Sequence, residues 1–491
     1  MECIGCKCNR PVAPTEGEPM TPTLPPYPAY KDSGVPWLGK LPEHWEVRRL
    51  GSLLQERRET NEGLRVTEVL SVLRERGVIP YAEKGNIGNK KSDDISRYKI
   101  VRPNDIVVNS MNVVIGSVGL SKFTGCISPV YYILTRREAQ DDPRYLNAYF
   151  RTKPFQESLI RLGNGILAHR MRIPMELLKC EPFPLPPANE QTAIVRFLDY
   201  MDRRIRRSIR AKQKLIKLLE EYRQALIHQA VTGKIDVRTG KPYPVYKASG
   251  LPWLGEVPAH WEMVPNRALL KKRKKLVGSR HSEYQMLSLT KQGIIVRDLT
   301  MLKGKFSADL GTSQEVRPGD LVFCLFDIPE TPRTVGLSPY FGMITGAYTI
   351  FEPLGRCRGE FIERFYIAMD DRKLLAPLYT GLRNTIPPSV FLQTKTPVPP
   401  LPEQTAIVEH LDAQTAKLDA AIAAARREIE LLREYRERLI ADVVTGKVDV
   451  RGVAAQLPEE PPDQEAGTEE EEPVAEELAT VDSQEDANGE E

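Results

Sequence analysis

The chain has 491 residues, 41% hydrophobic and 27% charged, which predicts two or more soluble globular domains. No run of about 18 apolar residues occurs, so a membrane span is excluded at this level. The net charge of +3 hides an asymmetry: Val453–Glu491 holds fifteen Asp or Glu and no Lys or Arg, leaving 69 basic against 51 acidic residues elsewhere, about +18. A basic body points to a polyanion partner, nucleic acid first.

Taken in order, residues 1–26 are rich in Pro and Thr and read as a disordered leader. They lack the apolar stretch of a secretory signal, so the expected compartment is the cytoplasm. Cys3, Cys6 and Cys8 cluster there, but a zinc site needs about four ligands and no further CxxC or His pair lies nearby, so no metal site is assigned. The odd count of seven cysteines, thinly spread through the body, predicts reduced thiols.

A long internal repeat begins at Tyr27. The segment Tyr27-Pro-Ala-Tyr-Lys-Asp-Ser-Gly-Val-Pro-Trp37-Leu-Gly-Lys-Leu-Pro-Glu-His-Trp45-Glu returns 216 residues later as Tyr243-Pro-Val-Tyr-Lys-Ala-Ser-Gly-Leu-Pro-Trp253-Leu-Gly-Glu-Val-Pro-Ala-His-Trp261-Glu. Glu190-Gln-Thr-Ala-Ile-Val195 returns as Glu403–Val408, and Val231-Thr-Gly-Lys-Ile-Asp-Val237 as Val444–Val450, both at an offset of 213. Residues 64–170 and 280–382 barely resemble each other; Arg102-Pro-Asn-Asp105 against Arg317-Pro-Gly-Asp320 and Ile173-Pro174 against Ile386-Pro387 are the surviving echoes. Two similar frames therefore enclose two different variable regions.

The variable regions read as β-rich. Val66–Leu73, Asp105–Val108, Val113–Leu120 and Ile127–Leu134 are short and rich in Val, Ile and Tyr, as are Leu321–Phe326 and Tyr348–Phe351. Asp105 and Asp320 follow turn signals and read as turn formers rather than catalytic carboxylates. A helix is expected over Pro143–Gly163 and again near Arg358–Tyr379. Proline-rich, extended chain follows at Pro182–Pro187 and Pro397–Pro402.

Each copy then enters a long helix. Ile194, Leu198, Met201, Ile205, Ile209, Ile216, Leu219, Tyr222 and Leu226 recur at three, four and seven residues, as do Ile407, Leu411, Leu418, Ile422, Ile429, Leu432, Tyr435 and Leu439. A helix of about 40 residues is about 60 Å long, and Gly233 and Gly446 suit C-caps. One apolar stripe on so long a helix needs a partner, and the simplest is the other helix in an antiparallel coiled coil. The alternative is that each helix packs on its own domain.

The resulting fold class is α+β: two β-rich recognition domains in tandem (27–187 and 239–400), each followed by a helical spacer (188–238 and 401–451), with the helices pairing as an antiparallel coiled coil. A disordered acidic tail (452–491) ends the chain.

Signatures of catalysis are missing. No phosphate loop, dinucleotide-binding fingerprint or nucleophile elbow occurs, and the six histidines form no metal-ligand spacing. His44 and His260, beside Trp45 and Trp261, read as packing or hydrogen-bonding residues of a hairpin. Basic residues are more informative. Lys84, Lys90, Lys91, Arg97 and Lys99 precede a strand, Lys271–Lys275 is a run of five cations, and Arg203–Lys214 crowds the first helix. Phosphate contacts from such residues carry affinity, whereas sequence reading needs Arg, Lys, Asn or Gln at base edges. The candidates are Lys90, Lys91, Arg97, Asn109, Asn112, His169, Arg170 and Arg172 in the first copy. In the second they are Lys291, Gln292, Arg333, Arg383 and Asn384. The helix–helix and partner-docking candidates are Ile194, Leu198, Ile205, Leu219, Tyr222 and Leu226 with Ile407, Leu411, Leu418, Leu432, Tyr435 and Leu439.

The Tyr-Pro-x-Tyr-Lys-x-Ser-Gly-x-x-Trp-Leu-Gly-x-x-Pro-x-His-Trp signature, the Glu-Gln-x-x-Ile-Val helix start and the Val-Thr-Gly-Lys helix end resemble specificity subunits of type I restriction–modification systems, over roughly Tyr27–Arg451. The resemblance implies that each variable region is a target recognition domain reading half of a split, asymmetric site in double-stranded DNA, and that the helices set the spacing. It further implies two modification subunits that carry S-adenosylmethionine and methylate adenine N6, and ATP-using restriction subunits that translocate and cut DNA. The subunit itself would be non-catalytic and hold no cofactor. Competing readings are a nuclease or methyltransferase with a hidden site, and a stand-alone DNA-binding or coiled-coil scaffold protein. Activity of the lone chain would favour the first; equal binding of random and target DNA by the assembled complex would favour the second.

Overall fold

The computed structural model describes residues 24–458 apart from 75, 86–89, 164–170, 298–309 and 332. Cys3, Cys6, Cys8 and the acidic tail beyond Pro458 lie outside the described residues. The chain divides into two compact units, one comprising residues up to 204 together with those from 435 onward, the other residues 205–434.

The same plan is built twice. In the first unit, Leu54–Glu56, Tyr131–Arg136, Ile106–Asn109 and Val118–Leu120 form a four-stranded sheet in that spatial order. In the second, Leu270–Arg273, Thr349–Pro353, Leu321–Phe323 and Val335–Leu337 repeat the order. Satellite hairpins repeat too: Leu70–Leu73 with Gly77–Pro80 against Leu287–Thr290 with Gly293–Val296. The small cores behind them match position for position, with Leu70, Val101, Val107, Ile127 and Ile133 in one and Leu287, Val316, Val322, Ile344 and Ile350 in the other. The variable regions thus keep apolar strand interiors while their letters diverge.

The expected strands shorten for local reasons. Val113–Leu120 opens as a 3-10 turn over Val113–Ile115, closed by Gly116 at φ 89°, and only Val118–Leu120 is strand. Ile127–Leu134 breaks around Pro129 into Gly125–Ile127 and Tyr131–Arg136. Pro143–Gly163 splits into helices Pro143–Phe150 and Lys153–Leu159, with Pro154 in the first turn of the second. The proline-rich stretches are extended as expected, and they are also paired: Pro182–Leu185 lies antiparallel to Glu46–Arg49, and Lys395–Val398 to Glu262–Pro265.

Asp105 and Asp320 are buried turn formers. Each carboxylate accepts the backbone N–H three residues back, from Arg102 (2.7 Å) and Arg317 (2.6 Å). Each also meets an arginine from two strands across the sheet, Arg57 at 3.1 Å and Arg273. The central cation of the Lys271–Lys275 run is therefore committed to the fold, and Lys275 is held by Glu315.

The repeated motifs converge on one node per unit. In the first, the buried Glu190 carboxylate accepts from Tyr27 Oη (2.6 Å) and Trp45 Nε1 (2.9 Å) and lies 2.7 Å from His44 Nε2. In the second, Glu403 accepts from Tyr243 Oη (2.5 Å) and Trp261 Nε1 (2.9 Å) and lies 2.9 Å from His260 Nε2. The adjacent glutamines stitch the helix start to the domain. Gln191 Oε1 accepts from Asp142 N and its amide donates to Pro186 O; Gln404 does the same with Arg358 N and Pro399 O. The hairpin histidines expected to hydrogen-bond do so.

Two long helices span Ala188–Val231 and Leu401–Val444. Both end in a left-handed glycine, Gly233 at φ 71° and Gly446 at φ 72°, as expected of C-caps. The next N–H, of Lys234 or Lys447, reaches back to the carbonyl of Gln229 or Asp442. Gly446 packs against Pro42 and Trp45 of the first hairpin, and Gly233 against Pro258 and Trp261 of the second. Each hairpin is thus seated on the end of the helix that belongs to the other repeat.

The helices pair antiparallel. In the second unit Lys212 meets Glu428, Glu220 meets Arg426 at 3.0 Å and Arg223 meets Asp419 at 3.4 Å. In the first unit Asp202 meets Arg436. Ile205, Ile422, Ala425 and Ile429 are buried, and Leu219, Leu418 and Leu432 are half-buried. The helix ends enter the domain cores instead: Ile194, Leu198, Tyr435 and Leu439 in the first unit, Leu226, Ile407 and Leu411 in the second. Tyr222 departs from its expected place in the seam. It is 59% exposed, because the adjacent Arg223 takes the seam and one residue turns the helix about 100°.

His228, half-buried near the end of the first long helix, is pushed down to about 4 from an ordinary 6.5 by burial and by Arg372 and Lys234. Between those values the unfolded chain binds the proton and the folded one does not, so stability of the second unit falls as pH drops from 6.5 towards 4. His228→Gln is expected to flatten that slope, measured as urea midpoints at pH about 7 and about 4.5. An undiminished slope would refute this assignment.

Candidate nucleic-acid interface

The strands Ile106–Asn109 and Leu321–Phe323 end in loops that occupy equivalent places and differ in sequence. In the first unit Asn109 Oδ1 accepts the Met111 N–H at 3.0 Å, and the Asn112 carbonyl accepts from Ile115 and Ser117. Ile173 N donates to Ser110 O at 2.9 Å. That bond brings the exposed Arg172 beside the loop carrying Asn109 and Asn112. His169 and Arg170 lie outside the described residues.

In the second unit the equivalent bond runs from Ile386 N to Leu325 O at 2.8 Å. Here the loop is fastened more tightly. Asp327, at φ 47°, takes Arg383 on both carboxylate oxygens, and the guanidinium lies 5.5 Å from the Phe326 ring centre. The hydrogen bonds from Arg383 hold the Asp327 carboxyl below its ordinary range. Asn384 is exposed at φ 44°, in a turn closed by mutual backbone bonds of Thr380 and Thr385. Arg333 is half-buried and held by Asp371 at 2.8 Å, so its charge is matched within the unit.

The other candidates stand apart from these loops. Lys291 and Gln292 are exposed at the two-residue tip of the Leu287–Val296 hairpin. Lys90, Lys91 and Arg97 are exposed, and Lys91 is steadied by its backbone N–H donating to Tyr81 Oη at 3.0 Å. Sequence reasoning missed Arg74, exposed at the tip of the hairpin equivalent to that of Lys291. Aligning Leu70–Leu73 with Leu287–Thr290 by their alternation would have found it. It also missed Leu382, fully exposed beside Arg383; no periodicity marks a single loop residue.

Among the described residues no group of three or more His, Cys, Asp or Glu could hold a metal ion, and no helix is long and apolar enough to cross a membrane. Cys126, Cys180, Cys324 and Cys357 are free thiols, and burial pushes Cys357 up to about 12.

Residues 42–218 match the family model of the type I restriction modification DNA specificity domain. The chain is 22% identical over 435 residues to a protein of Methanocaldococcus jannaschii described as a type I restriction enzyme MjaX specificity subunit, covering 84% of this chain and 96% of that one. It is 28% identical over 142 residues to the type I restriction enzyme EcoKI specificity subunit of Escherichia coli K12, covering 28% of this chain and 30% of that one. A solved chain of the type I R-M system, from a structure of its assembly and conformational transition, aligns with a TM-score of 0.61 at 16% identity, over 83% of this chain and 99% of that one; the likeness is one of fold.

Proposed function

We propose that this chain, which carries a type I restriction modification DNA specificity domain over residues 42–218, is the specificity subunit of such a system and reads a split, asymmetric site in double-stranded DNA, one half with each unit. One observation carries this reading. The units share strand order and the Glu190 and Glu403 nodes, yet differ in the loops after Asn109 and Phe323. A shared frame with unlike edges suits two readers of unlike half-sites. Arg, Asn and Gln on those edges supply the donors and acceptors that base edges require.

The 44-residue helices, about 66 Å each at 1.5 Å per residue, serve as the ruler between half-sites. They also dock two modification subunits that supply S-adenosylmethionine and methylate adenine N6; ATP-using restriction subunits join that complex in the cytoplasm. The chain itself binds and directs without catalysing. Leu215, Leu218 and Tyr222 support the docking role: all three are exposed on one side of the first helix, at three- and four-residue spacing. Leu218→Asp with Tyr222→Asp is expected to weaken capture of the modification subunits at least about tenfold while the lone chain folds normally. Unchanged complex formation in size-exclusion chromatography would remove this surface from the interface.

The main test is modular. Exchanging residues 64–170 for those of another recognition domain is expected to change one half of the methylated site, read by methylome sequencing, and to leave the other half and the spacing intact. A change in both halves would overturn the reading.

A further inference from the structure

Leu382 is fully exposed, whereas the next most exposed large apolar side chain among the described residues, Val245, is 63% exposed. A scattered surface leucine needs no explanation, but this one is mounted on a fixed support. Thr380 and Thr385 exchange backbone hydrogen bonds of 2.8 and 3.0 Å around it, and Thr380 Oγ1 adds a third to the Thr385 carbonyl at 2.9 Å. Asp327 N donates to the Arg383 carbonyl at 2.9 Å, while the Asp327 carboxylate accepts from Arg383 Nε at 3.1 Å and from its Nη2. Ile386, just after the turn, is buried, and its N–H reaches Leu325 O at 2.8 Å. Asp327 at φ 47°, Gly381 at φ 69° and Asn384 at φ 44° hold left-handed backbone here. Such a conformation costs energy at a non-glycine residue and persists where the surrounding contacts fix it. The fold thus accepts strain around a leucine that it leaves wholly in solvent.

The neighbours of Leu382 decide what it can meet. Gly381, Arg383 and Asn384 are exposed, so the apolar surface is one side chain wide, too small for the contiguous patch of a protein-docking surface. The Arg383 charge is matched by Asp327, so the tip is not built to grip phosphates. A lone apolar side chain followed directly by a guanidinium and an amide suits a stack of bases. There an apolar wedge parts a step, and polar neighbours reach the base edges beside it.

We propose that Leu382 is a wedge that enters the stacked bases of the half-site read by the second unit and parts one base step. This deepens the specificity reading and rests on it. The rigid mounting matters, because a flexible tip would have to be ordered on insertion, which offsets the gain. Parting a step costs least at pyrimidine–purine steps. The wedge therefore selects sequence through stacking strength, at a step where no base edge need be touched.

The test uses the full chain assembled with its modification subunits and a duplex carrying the methylated site. The half-site in question is the one left unchanged when residues 64–170 are exchanged. 2-Aminopurine for adenine and pyrrolocytosine for cytosine, placed in turn on either strand of that half, fluoresce when unstacked. One step away from the methylated adenine is expected to brighten with the native chain, to stay dark with Leu382→Ala and to brighten again with Leu382→Met. Target affinity is expected to fall on the order of tenfold in Leu382→Ala, with the urea midpoint and the binding of random duplex unchanged. A bright step that survives Leu382→Ala, or none beyond the methylated adenine, overturns the wedge and leaves the specificity reading standing. Loss of the modification subunits from the Leu382→Ala complex also overturns it, because Leu382 is then a protein contact. A native complex that binds target and random duplex alike sinks the specificity reading itself, and the wedge with it.

Discussion

Glu190→Ala is expected to destabilise the first unit by about 3–5 kcal/mol, whereas Glu190→Gln costs about 1 kcal/mol. The carboxylate is buried and satisfies Tyr27 Oη, Trp45 Nε1 and His44 Nε2 together. Alanine leaves the buried Tyr27 hydroxyl and Trp45 indole N–H without their acceptor, while the exposed His44 can turn to solvent. Glutamine keeps Oε1, which already serves both Tyr27 and Trp45, and its amide can face the unprotonated nitrogen of His44. Burial and the neighbouring carboxylate push the Tyr27 hydroxyl far above its ordinary range, so it remains a donor at any working pH. Urea unfolding followed by tryptophan fluorescence checks the ranking; equal losses in the two variants would mean that shape, not hydrogen bonding, sets the node.

The equivalent Glu403 adds a pH dependence. Burial alone would raise its carboxyl, but hydrogen bonds from Tyr243, His260 and Trp261 outweigh that and hold it below the ordinary 4.5. Its contribution to the second unit is present above that value and is lost as pH falls through the lowered one.

The second large effect is at the helix ends. Gly446→Ala is expected to cost about 3 kcal/mol or more. The residue sits at φ 72°, and an added Cβ would lie 2.4 Å from Pro42 Cδ and 3.2 Å from Trp45 Cη2. Neither ring can swing aside, so the hairpin must lift from the helix. Gly240→Ala is the control: φ is 70°, but nothing lies within 4 Å of the added atom, so only backbone strain of about 1 kcal/mol remains. If the two substitutions cost the same in thermal or urea unfolding, the close approach to Pro42 carries no weight.

The frame was legible in the sequence because both copies preserve it. Trp45, Glu190 and Gly233 recur as Trp261, Glu403 and Gly446 with their spacing nearly unchanged, and the structure gives the two members of each pair matching partners. The long helices were legible for another reason: no Gly or Pro interrupts their apolar spacing. Tyr222 shows where spacing misleads, because a stripe one residue wide cannot tell the seam from its flank. The interface was read less well. Arg333 and Arg383 looked alike as loop cations, yet Arg333 is half-buried against Asp371, whereas Arg383, paired with Asp327, is exposed over Phe326. Nothing local separates them; the distinction arises from which acidic side chain the fold delivers.

The order of manufacture follows from where the hairpins sit. The second unit is one unbroken stretch of chain, and its Tyr246 hydroxyl bonds to the Lys234 carbonyl only 12 residues away. The matching bond of the first unit joins Tyr30 to Lys447, 417 residues later. At about 5–20 residues per second, a ribosome leaves Trp45 and its hairpin without a seat for about 20–80 s. The part of the protein made first is the part finished last.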